Sequence, residues 1–189
     1  MKKEAPDISE ELEKIKTVKI VEEIECFTPR RTVAIKYTGP NVRKIVKEAG
    51  HIIQRGMHIG GTRTYLDRYH IDVTDPNNIR FTIYWHGDKG LDKRNKIRCV
   101  LGYDDGVIHP DGSGSVKIKI SPRLITTWDK SSILKRNPIY DLLMKIYGYV
   151  YYDELRRKYV LQCKELGQEM VRIVKEILKL AETAKLPYP

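Results

Sequence analysis

Five histidines (His51, His58, His70, His86 and His109) and three cysteines (Cys26, Cys99 and Cys163) have the widest chemical repertoire in this chain. Imidazole and thiolate ligate metals, or act as bases and nucleophiles, when several such groups converge. The spacing here predicts no convergence. There is no C-x-x-C, no H-E-x-x-H, no G-x-S-x-G, no Walker loop and no G-x-G-x-x-G. His51 and His58 lie seven apart and could share a helix face, but two ordinary polar positions near a helix end are the commoner outcome. The run Asp104 to Gly114, DDGVIHPDGSG, holds three aspartates but lacks the spacing and terminal glutamate of a calcium loop, and it reads as a hairpin loop. His70 or His86 could serve as a general base in a cleft, yet both alternate onto the wet face of their strands. The expectation is a non-enzymatic protein with no catalytic residue, metal site or cofactor.

The basic residues are the more informative set. The chain has 35 Lys and Arg against 25 Asp and Glu, a net charge of +10. Residues 27–136 hold 21 bases and 10 acids, a net of +11, whereas residues 1–26 hold 5 bases and 8 acids. The stretch Ser115 to Trp128, SVKIKISPRLITTW, shows how this charge is arranged. Val116, Ile118, Ile120, Pro122 and Leu124 point one way, and Lys117, Lys119, Ser121 and Arg123 the other, the period of a half-buried strand. The same division recurs along the middle of the chain. If the apolar sets face a core, the opposite face carries Lys36, Arg68, His70, Arg80, Tyr84, His86, Lys96, Arg98, Lys117, Lys119 and Arg123, with Asp72 as its clear acid. Like charges opposed across strands cost stability, so a one-signed face implies a polyanion partner. Tyr84 could stack on an unpaired base, and the loop residues Lys93 and Arg94 would add phosphate contacts. The expected partner is RNA or a ribonucleoprotein, the ribosome among them.

These residues need strands to align them. Thr17 to Glu25 alternates loosely. Thr32 to Thr38 is a clearer strand, stopped by Gly39-Pro40, with Asn41 as N-cap of a helix running to about Met57 and ended by Gly56. Residues 65–73, 80–86 and 96–103 alternate in turn, with Tyr65, Asp67, Tyr69, Ile71 and Val73 assigned to one face; Gly87 to Asn95 reads as a flexible loop. Pro138 precedes an amphipathic helix carrying Ile139, Leu142, Leu143, Ile146 and Val150. A longer helix from Asp153 to about Thr183 carries a wide stripe of Tyr159, Cys163, Leu166, Met170, Val174 and Ile177, suited to lying across a sheet. Asp7 to Lys16 suits a short helix or a frayed acidic segment.

The predicted class is α+β: a curved antiparallel sheet with a long C-terminal helix packed on one face. The expected division is an acidic N-terminal segment, residues 1–26, and one domain, residues 27–189. From Thr32 to Thr183 the element order resembles the helix-grip fold of the START and polyketide-cyclase-like (SRPBCC) superfamily. The helix from Ile139 to Val150 departs from the simplest version of that pattern. The resemblance implies a cavity between sheet and long helix that holds a small apolar ligand. Phe81, Trp85, Tyr103, Trp128, Tyr159 and Met170 are the candidates to line it, which makes a binding or carrier protein the alternative function.

No apolar run approaches the roughly 18 residues of a membrane span, and the charged N-terminus has no secretory h-region. Three widely spaced cysteines argue for a reducing compartment and against a disulfide framework. A cytoplasmic location follows. Three glutamines among many Lys, Arg, Glu and Ile suggest a thermophilic source.

Overall fold

The structure, a computed structural model, describes residues 19–129, residues 139, 142, 143 and 146, and residues 152–179. Its elements are β1 (Lys19–Glu25), β2 (Val33–Gly39), α1 (Val42–Lys47), α2 (Ala49–Met57), a short 3-10 turn (Gly61–Arg63), β3 (Thr64–Asp72), β4 (Ile79–Gly90), β5 (Asn95–Ile108), β6 (Gly114–Asp129) and α3 (Asp153–Ile177). Every strand pairing is antiparallel, in the order β1-β6-β5-β4-β3. β6 is long enough to take two neighbours on one edge. Its first half pairs with β2 and its second half with β1. The sheet is curved and open, and the helices lie on one of its faces.

The period-2 pattern decides which face that is. Val116, Ile118, Ile120 and Leu124 of β6, Ile97, Leu101 and Tyr103 of β5, and Phe81 and Ile83 of β4 are all buried. Against them pack Val42, Ile45, Ile52, Ile53 and Met57 of α1 and α2, and Cys163, Met170, Ile173 and Val174 of α3. Each large apolar side chain removed from water contributes roughly 1.5–3 kcal/mol, so this layer supplies most of what opposes chain entropy. The α3 stripe lies across β6 and α2, as its width requires.

Several local expectations are corrected. The helix expected from Asn41 to Met57 is two helices, broken at Glu48, whose ψ of 3° leaves the helical range. Asn41 adopts a left-handed conformation (φ 72°) and makes no side-chain cap bond. Gly56 does not end α2, which closes at His58 in a left-handed conformation (φ 53°). Gly56 is instead where α2 meets α3: a Cβ there would stand 2.3 Å from Met170 Cγ and 3.2 Å from Met170 Cα. The supposed loop at Gly87 is largely strand, for β4 continues to Gly90. β5 likewise continues to Ile108 through an irregularity between Asp104 and Val107. In β3 a bulge between Leu66 and Arg68 breaks the simple alternation, so Tyr65 and Tyr69 fall on opposite faces.

The cysteine reading is also corrected. Cys26, just after β1, is disulfide-bonded to Cys163 in α3. The link joins positions 137 apart in sequence, too far for spacing alone to reveal. Cys99 is free and buried, and burial pushes its thiol up to about 12, so it is no nucleophile. The expected helix from Ile139 to Val150 lies outside the described residues, except that Ile139, Leu142, Leu143 and Ile146 are helical and exposed. The segment Asp7 to Lys16 and the chain beyond Lys179 also lie outside them. Among the described residues no helix is long and apolar enough to cross a membrane.

Candidate nucleic-acid interface

The face of the sheet away from the helices carries the predicted basic residues, but it is not one-signed. Asp72 was expected as its clear acid; Glu23, Glu25, Asp67, Asp88 and Asp104 stand there too. Asp88 follows His86 on the outer side of β4 and lies directly opposite Arg98. It accepts two hydrogen bonds from Arg98 (Nε 2.7 Å, Nη2 2.8 Å) and one from Lys96 Nζ (2.8 Å). Burial alone would raise its pKa, but these charge-assisted bonds outweigh burial and hold it at about 2. Lys119 pairs with Asp104 at 2.5 Å, and Tyr84 donates its hydroxyl to the same carboxylate. Arg123 sits opposite Glu25 and pairs with both Glu23 (3.3 Å) and Glu25 (3.2 Å). His86 Nδ1 lies 2.6 Å from Asp67 Oδ1, with Tyr65 stacked on its ring at 4.9 Å. Lys96, Arg98, Lys119 and Arg123 are therefore matched to carboxylates within the sheet, and His86 is held by Asp67.

The remaining predicted bases are placed differently. Lys36 and Lys117 stand directly opposite each other across β2 and β6. Among the described residues neither has an acidic group within ion-pair distance. Arg80 is exposed near the start of β4, opposite Asp72. Arg68 is exposed on β3, its guanidinium 5.9 Å from the Tyr84 ring centre. Lys93 and Arg94 are exposed in the tight turn between β4 and β5, where the Arg94 guanidinium rests on the Trp128 ring at 5.0 Å. His70 is exposed on the outer side of β3, opposite Thr82.

Tyr84 is not a bare stacking platform. Its ring covers Gly102 so closely that a Cβ there would stand 2.6 Å from a ring carbon. Burial and the Asp104 carboxylate both raise its hydroxyl pKa.

The turn bearing Lys93 and Arg94 is held by a network that sequence reasoning missed. Asp92 accepts hydrogen bonds from the backbone amides of Arg94 (2.7 Å) and Asn95 (2.8 Å), from the Asn95 side chain and from the Tyr159 hydroxyl (2.9 Å). Buried Asn95 in turn accepts from Thr126 (2.7 Å) and Tyr152. This chain of satisfied polar groups ties the β4–β5 turn to β6 and to the start of α3.

The six candidate cavity residues do not gather around one space. Phe81, Tyr103 and Met170 are within the core, filled from both sides by Gly106, Ile45 and Gly56. Trp85 is half-buried beside Gly50 of α2. Trp128 and Tyr159 lie at the other end, by Arg94 and Asp92. A shallow groove of about 370 Å³ between β1 and α3 is lined by Ile24, Asp153, Arg156, Arg157, Val160, Leu161 and Lys164, none of them among the six.

Alternation was the signal for the acids too. Asp88 is two past His86, Asp104 two past Gly102, and Glu23 and Glu25 occupy alternate positions of β1. Only the strand order shows that they face bases. No protein-family model matches the chain, and no curated protein matches it.

Proposed function

We propose that this is a non-enzymatic RNA- or ribonucleoprotein-binding protein that engages phosphates with bases that, among the described residues, are in no ion pair: Lys36, Lys117, Arg68 and Arg80 on the outer sheet face, joined by Lys93 and Arg94 in the β4–β5 turn. The observation that carries this reading is the Lys36–Lys117 pair. Two lysines opposed across strands repel, and the carboxylate that stands opposite Lys117 on β5, Asp104, is taken by Lys119 and Tyr84. A phosphate bridging the two ammonium groups would remove the repulsion and release counterions. Lys96, Arg98, Lys119 and Arg123 then serve the fold rather than the ligand, and Tyr84 contributes through its packing and Arg68.

The ribosome and other ribonucleoproteins are the natural polyanions for such a face, and a cytoplasmic location is part of this proposal. Intracellular proteins of hyperthermophiles carry disulfides, so the Cys26–Cys163 bond fits that location on the reading of the composition as thermophilic. The helix packed on a curved antiparallel sheet supports kinship with the helix-grip superfamily. The test is direct titration of a labelled single-stranded RNA, with a neutral polymer as control, alongside purification from source extract with and without RNase. Saturable, salt-sensitive binding and RNase-removable companions support the proposal. No binding at low salt refutes it.

A further inference from the structure

We propose that the protein forms a two-fold dimer by antiparallel pairing of β3 with β3 of a second copy. β3 closes one edge of the sheet, and among the described residues nothing pairs with its other side. It is nine residues long, and such an edge is a template for another strand unless its side chains forbid it. Here they invite it. Leu66 is 46% exposed and Tyr69 63% exposed, both on the face that elsewhere forms the core. Val73, just beyond the strand, is 66% exposed.

For a pairing that runs the length of the strand, the bulge at Asp67 selects one register. Opposed residues of an antiparallel pair must share a face. Before the bulge, Thr64 and Leu66 face inward and Tyr65 outward. After it, Tyr69 and Ile71 face inward and Arg68 and His70 outward, judged by their β4 partners. Asp67 itself reaches the outer side, where it meets His86. A symmetric pairing centred between Asp67 and Arg68 satisfies every position. It sets Leu66 against Tyr69, Tyr65 against His70 and Thr64 against Ile71 of the other copy. A register slipped by two in either direction sets an inward residue against an outward one at the centre: Leu66 against Asp67, or Tyr69 against Arg68. The selected register also places Asp67 against Arg68 twice, so the interface is self-complementary in charge as well as in apolar surface, as an isologous contact must be. The pairing would join two sheets into one continuous sheet and extend the outer face across both copies. It takes Arg68 into the interface and needs none of the other bases proposed for that face.

Sedimentation equilibrium of the full chain tests it. The wild type should dimerise. Tyr69→Lys, at a position already open to solvent in the single chain, should shift the protein to monomer with an unchanged circular dichroism spectrum and melting curve of the monomeric fold. Arg68→Asp sets carboxylates against each other and should weaken the dimer at least about tenfold. The charge-swapped double variant Asp67→Arg/Arg68→Asp should recover most of that loss. A wild type that stays monomeric at high concentration overturns the proposal. So does a dimer that ignores both Tyr69→Lys and Arg68→Asp, since its interface would lie elsewhere.

Discussion

Replacing Asp88 by Asn should weaken the fold and strengthen polyanion binding at once. Asp88 is the shared partner of Arg98 and Lys96. Burial raises its pKa, but the hydrogen bonds from those two bases bring it down from 3.8 to about 2. At 1.36 kcal/mol per pKa unit the shift has a ceiling of about 2.5 kcal/mol. Arg98 and Lys96 are each more than a third exposed, and solvent screening reduces the net contribution to about 1 kcal/mol. The native pKa is depressed, so this stability is fully present above the unfolded value near pH 4 and is lost as pH falls through 2. Urea unfolding of wild type and Asp88→Asn should therefore differ by about 1 kcal/mol at pH 6, and the gap should close toward pH 2. Meanwhile the variant releases two cations to the outer face. Its RNA affinity should rise, and each added phosphate contact should steepen the salt slope by about 0.7. Equal stabilities at pH 6, or a gap that persists at pH 2, would refute the reasoning about the ion pair.

Ile118→Ala removes a fully buried side chain from the middle of β6 and should cost about 2–5 kcal/mol in urea unfolding. Gly56→Ala would gain about 1 kcal/mol in an open helix. Here the new methyl overlaps Met170, so the melting temperature should fall, and pairing the change with Met170→Ala should cost less than the two separate losses combined. Reducing the Cys26–Cys163 bond should destabilise the protein by about 3–5 kcal/mol, because it frees a very long loop in the unfolded chain. A melting curve indifferent to reductant would show that the bond does not form in solution.

Layer and face were legible in the sequence wherever strict alternation ran unbroken. In SVKIKISPRL every apolar position is inside, and Lys117 and Lys119 turn outward. The C-terminal stripe from Cys163 to Val174 was legible for the same reason, since a 3.6-residue period has one solution on a helix. What failed was non-local or sub-periodic. The bulge at Asp67 inverts the second half of β3 with no Gly or Pro to mark it. The break at Glu48 leaves the apolar spacing intact, so Asn41 to Met57 read as one helix. The acids of the outer face were visible residue by residue. That Glu25 faces Arg123, and Asp104 reaches Lys119, depends on β1 and β5 flanking β6 on opposite sides. The disulfide belongs to the same class, for it depends on where β1 ends against α3. The basic candidates consequently divided in two, a distinction that charge counting along the chain has no means to draw.

That division is the most exposed part of the account. Two double charge reversals, Lys36→Glu/Lys117→Glu and Lys96→Glu/Arg98→Glu, should be compared for RNA affinity across a salt series and for melting temperature. Among the described residues neither lysine of the first pair is in an ion pair, so its reversal should abolish most binding, flatten the salt slope by about 1.4 and, since two glutamates beside Asp104 repel in their turn, lower the melting temperature less than the second pair does. The second pair serves Asp88, so it should lower the melting temperature and affect binding less. Binding that survives Lys36→Glu/Lys117→Glu with an unchanged salt slope would contradict the assignment of this face to a polyanion.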